Sequence, residues 1–124
     1  MPILDSLSTW PVGSVSAAVI TDDGVVEEYG DTSAVFALAS VTKLLVAQAV
    51  LVAVEEGAIE LDQEAGPPGA TVAHLLAHAS GLAFATRDVE APVGAKRIYS
   101  SSGFEVLAET VQDATGIEFG EYLR

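Results

Sequence analysis

The 124-residue chain contains no cysteine and only 5 lysines and arginines, against 18 aspartates and glutamates. Without cysteine there is no disulfide framework, so the fold has to rest on its apolar core, and redox chemistry says nothing about compartment. The shortage of basic residues leaves a net charge of −13. Phosphate backbones and anionic lipid surfaces repel such a chain, and no Lys/Arg cluster reverses this locally; neither a nucleic-acid nor a membrane-surface partner is expected. Long hydrophobic runs are also missing. The longest nearly apolar stretch, Leu44 to Val54, is interrupted by Gln48 and falls far short of the roughly 20 residues of a membrane-spanning helix. Met1 to Trp10 includes Asp5 and has neither a basic nor an apolar leader region. A cytoplasmic protein is therefore the expectation.

What is present is apolar. Half of the residues are hydrophobic and mean hydropathy is positive, which excludes a disordered acidic tail and suits one domain with a modest core. Val15 to Thr21 reads as a strand, Asp22-Asp23-Gly24 as a tight turn, and Val25 to Tyr29 as the returning strand. From Ser40 the period changes: Val41, Leu44, Leu45, Val50, Leu51 and Val54 recur at helical spacing, closed by Gly57. That helix is apolar nearly all round, which predicts an interior position. Gly66-Pro67-Pro68-Gly69 reads as a rigid turn, and Thr71 as the cap of a helix through His78. Residues 83–98 read as an irregular loop. A further helix is expected from about Gly103 to Thr115, then a last helical turn near Glu118.

Two strands make a marginal sheet, and an apolar helix needs cover on every side. The sequence therefore reads as an incomplete folding unit, with further chain or another copy expected to complete the sheet.

Ser40 and Lys43 stand three apart at a helix start, so hydroxyl and amine share a face at the positive end of the helix dipole. A desolvated, uncharged lysine can take the serine proton. Alone, such a spacing arises readily by chance in a chain with ten serines and two lysines, and a capping serine beside a solvated lysine fits it as well. Tyr99-Ser100-Ser101-Ser102-Gly103 is a second polar cluster, readable as a proton relay or as plain helix caps. His74 and His78 stand four apart but lack the glutamate and third ligand of a metal site, so neither a metal nor another cofactor is expected.

In order, Phe36-Ala37-Leu38-Ala39-Ser40-Val41-Thr42-Lys43, Glu56-Gly57-Ala58-Ile59-Glu60-Leu61-Asp62, His74 to Leu82, Tyr99-Ser100-Ser101-Ser102-Gly103-Phe104 and Thr115-Gly116-Ile117-Glu118-Phe119 resemble the serine β-lactamase and penicillin-binding protein superfamily. The nearest branch is the class C β-lactamase-like hydrolases and related esterases. The resemblance implies a mixed α/β (α+β) fold of the β-lactamase/transpeptidase type, an antiparallel sheet flanked by helices with a helical subdomain. This chain is similar to about its first half: strands over 1–35, the nucleophile helix over 36–60, part of the helical subdomain over 61–124.

It further implies that Ser40 is acylated, that Lys43 is its base partner through the S-x-x-K motif, and that Tyr99 relays the proton to the leaving group. Ser101 takes the substrate-binding place where the family usually has Asn. His78 to Leu82 matches a structural turn. The family's third motif, whose backbone N–H completes the oxyanion hole, has no counterpart after Gly116. The implied activity is that of a serine hydrolase acting through an acyl-enzyme on a small ester or amide. A penicillin-binding protein or true β-lactamase is the first alternative, and a non-catalytic fragment or pseudoenzyme used for assembly the second.

Overall fold

The computed structural model describes residues 3–124; Met1 and Pro2, the start of the segment read as lacking a leader, lie outside it. These residues form two compact units, one ending at Ala37 and the other running Leu38–Arg124.

The first unit opens with a 3-10 helix, Ile3–Thr9, that the residue pattern did not announce. Its free N-terminal amides find a carboxylate: Leu4 N–H and Ile3 N–H donate to the Glu27 side chain at 3.0 and 3.1 Å. The expected hairpin follows, β1 (Ala17–Thr21) antiparallel to β2 (Gly24–Tyr29), joined by Asp22 and Asp23. Between Val19 and Ile20 the register slips, as a β-bulge does when one strand carries an extra residue. Ile20, Val25 and Val26 of the hairpin stay exposed.

The second unit is helical. A short 3-10 turn, Ala39–Val41, leads into α1 (Thr42–Glu55); α2 (Val72–Leu76), α3 (Ser101–Thr115) and α4 (Phe119–Tyr122) follow. Its core is made by Val46, Val50 and Ala53 of α1, Ile59, Val72 and Leu75 around α2, Leu82, and Phe104, Val106, Leu107 and Val111 of α3. Gly116, at φ 70°, closes α3 as the sequence predicts.

Two expectations change. Within Leu38–Arg124 α1 is not enclosed all round: Val46, Ala49, Val50 and Ala53 are buried, but Leu44, Leu45 and Leu51 are exposed, because α3 packs along one face. α2 stops at Leu76 instead of running to His78, whose left-handed φ of 57° ends any helix. His74 and His78 therefore do not share a helix face. His74 instead completes a capping box with Thr71. Among the described residues no group of three or more metal-ligating side chains exists, and no helix is long and apolar enough to cross a membrane.

Candidate active site

Ser40 sits in the 3-10 turn just before α1, and Lys43 in the first turn of α1 itself. The turn begins with Ala39 at φ 46°, a left-handed conformation that an L-residue with a Cβ adopts only at a cost. This kink places an exposed Ser40 at the helix N-terminus rather than in the capping position; no side chain caps α1. Lys43 Nζ donates to Ser40 Oγ at 3.1 Å. The stem of Lys43 is half-buried, not enclosed as the all-apolar helix had implied.

Tyr99 arrives from 56 residues away in sequence. Lys43 Nζ lies 4.7 Å from its ring centroid, over the aromatic face. Hydrogen bonding to Lys43 and then to Ser40, reinforced by the charges of Lys43 and Arg97, holds the Tyr99 phenol below the usual tyrosine value. The three residues assigned to acyl transfer thus meet in one place, with the phenol partly open to solvent.

The serine run after Tyr99 divides its labour. Ser100 caps α3, accepting from Gly103 N–H at 2.9 Å and donating to the Ala83 carbonyl at 2.7 Å. The buried Ser102 hydroxyl lies against the carbonyls of Thr86 and Ala83 at 2.7 and 2.9 Å. Both anchor the 83–98 loop to α3. Ser101 differs: its backbone N–H donates to the Phe84 carbonyl at 2.8 Å, while its hydroxyl makes no hydrogen bond among the described residues. With Lys43, Ala39 and Thr42 it lines an open cavity of about 310 Å³ whose far wall is Phe104, Ala108 and Phe119. A larger cavity of about 480 Å³, between Pro67, Pro68 and the Arg87–Glu109 pair, holds none of the assigned residues.

One residue of the site is legible in the sequence only as half of a four-apart histidine pair and as part of a structural turn. His78 is buried, and its ring packs between Tyr99 (centroids 4.7 Å apart) and Phe104 (5.0 Å). Burial first, then the charges of Arg97 and Lys43, push its pKa below the usual histidine value. The sequence signal was available in its place between a capped helix and Ser80-Gly81, but nothing local links it to Tyr99.

The Beta-lactamase family model matches residues 11–124. The chain is similar to the crystal structure of a beta-lactamase from Mycobacterium bovis, with 59% identity and a TM-score of 0.89 over 97% of this chain. It spans 44% of that structure's length. No curated protein matches it. The hairpin and the helices match a portion of that mixed α/β fold, and the chain belongs to the beta-lactamase family.

Proposed function

We propose that the protein is a β-lactamase-like serine hydrolase that acts through an acyl-enzyme on a small ester or amide. The observation that carries this reading is the 3.1 Å contact between Lys43 Nζ and Ser40 Oγ beside the Tyr99 ring. Lys43 acts as base only in its uncharged form: once its ammonium has given a proton to solvent, Ser40 Oγ attacks the substrate carbonyl as the hydroxyl proton passes to Nζ. The tetrahedral oxyanion collapses, the bond to the leaving group breaks, and Tyr99 hands that group a proton, replenished from Lys43. Water then attacks the acyl-Ser40 ester by the reverse relay, releasing the acid. The helix N-terminus at Ser40 favours the oxyanion.

Ser101 supports an ester over an amide. A shorter hydroxyl cannot offer a donor and an acceptor at the reach of the asparagine usual at that place, which would engage a substrate amide. The 59% identity to a structure called a beta-lactamase favours the second reading, a β-lactam substrate. A further segment of chain, or another copy, is proposed to complete the sheet and add the second oxyanion donor. One such donor is worth about 10²–10³ in rate, so the 124 residues alone are expected to act weakly, as the fragment reading requires.

The test is mass spectrometry of the intact protein after an activated short-chain ester. The expected result is one acyl group on Ser40, lost in Ser40→Ala together with turnover. Unchanged turnover in the alanine variant refutes the hydrolase reading. Durable labelling of Ser40 by a fluorescent penicillin selects the β-lactam reading instead.

A further inference from the structure

His78 makes two backbone bonds that straddle Tyr99. Its carbonyl accepts from Ile98 N–H at 2.8 Å, and its Nδ1 accepts from Ser100 N–H at 3.0 Å. Between these anchors the Tyr99 ring lies against the imidazole, 4.7 Å centroid to centroid, and the other neighbour of the imidazole is Phe104 of α3. The left-handed backbone of His78 (φ 57°) lets carbonyl and ring turn toward the same segment. Because Nδ1 accepts, it carries no proton; the neutral ring holds its proton on Nε2.

We propose that His78, as the neutral Nε2–H imidazole, is the positioning residue that fixes the Tyr99 phenol against Lys43 and Ser40. Its consequence for catalysis rests on the acyl-transfer reading above; the positioning itself does not. A protonated His78 has no acceptor for Ser100 N–H, so the clamp opens on one side. It also places a positive charge among Lys43 of α1 and Arg97, the charged groups that face it, with Tyr99 as its titratable neighbour; Phe104, its contact on α3, is neutral. The lowering of its pKa by burial and by these two cations keeps the clamp closed at neutral pH. Asparagine keeps an acceptor near the Nδ1 position and tolerates the left-handed backbone. Phenylalanine keeps the ring packing and loses the acceptor.

The test uses the intact protein with its tyrosines carbon-13 labelled at Cζ and its histidines nitrogen-15 labelled. In the wild type at neutral pH, His78 Nδ1 should be bare and Nε2 protonated. On acidification, the midpoint at which His78 takes its proton should reappear in the Tyr99 Cζ signal. In His78→Asn, Tyr99 should still titrate below an ordinary tyrosine; in His78→Phe, its titration should move up toward the ordinary value and kcat for ester turnover should fall with little change in KM. A proton on Nδ1 at neutral pH, no response of Tyr99 to His78 protonation, or an unmoved Tyr99 titration in a folded His78→Phe protein each overturns the proposal. Should His78→Phe fail to fold, the two wild-type measurements decide. Neither requires turnover. A protein that shows the coupling but never acylates Ser40 sinks the hydrolase reading and leaves this one standing.

Discussion

Lys43 Nζ lies 3.1 Å from Ser40 Oγ and 4.7 Å from the centre of the Tyr99 ring. One amine therefore addresses both oxygen-bearing groups of the site. Replacing Lys43 with Met keeps the stem and removes the nitrogen. The Tyr99 phenol then loses the largest cause of its lowered pKa and should titrate higher. Acyl transfer should fall by about 10²–10⁴, the usual range for a lost proton-transfer group. Tyrosine titration and ester turnover of Lys43→Met check the two effects separately, and a rate loss without a Tyr99 shift would detach the phenol from the lysine.

His78 makes stability depend on pH. Its folded pKa lies below the 6.5 of the unfolded chain, so between those two values the unfolded chain binds more protons. Stability then rises with pH across that window: the contribution is fully present above 6.5 and is lost as pH falls through the lowered folded value. Urea midpoints measured between about pH 5 and 8 should fall on the acid side. In His78→Asn that part of the slope should vanish.

Much of this was legible beforehand because it is local. The Asp22-Asp23-Gly24 turn, Thr71 as a cap and Gly116 as a stop each follow from one or two residues, and the backbone adopts all three. Ser40 and Lys43 are one turn apart, so their contact could be read from spacing. What could not be read depends on distant residues. Glu27 caps the 3-10 helix at Ile3 from across the hairpin. His78 closes on Ile98 and Ser100 through a loop that no periodicity describes. The burial of α1 is not legible for a related reason: composition tells which faces are apolar, not which of them α3 reaches.

That loop depends on Gly81. Its φ is 87°, and a Cβ built there would lie 2.1 Å from the Ala91 carbonyl oxygen. Glu90 N–H also donates to the Gly81 carbonyl at 2.8 Å, so neither backbone can withdraw without breaking the pairing. Gly81→Ala should cost about 1–3 kcal/mol from the backbone conformation alone, with the clash added. Chemical denaturation reads the loss. Because residues 79–98 carry Tyr99 at their end, its titration should drift toward that of an ordinary tyrosine in the same variant.

The two faces of α1 supply the last prediction, a comparison of Leu107 with Leu44. Leu107 of α3 is fully buried in the core that receives Val46 and Val50, whereas Leu44 of α1 is 72% exposed. Truncating Leu107 to Ala removes packed methyl groups and leaves a cavity, at about 2–5 kcal/mol. Leu44→Ala in the 124-residue chain should stay within about 0.5 kcal/mol, the range of surface changes. Where the further chain segment or second copy proposed above lies on the bare α1 face, Leu44→Ala in the assembled protein should instead approach the cost of Leu107→Ala. Denaturation of both variants in both forms makes the comparison. Equal, negligible costs for Leu44→Ala in the two forms would mean that no added segment or copy lies on this face of α1.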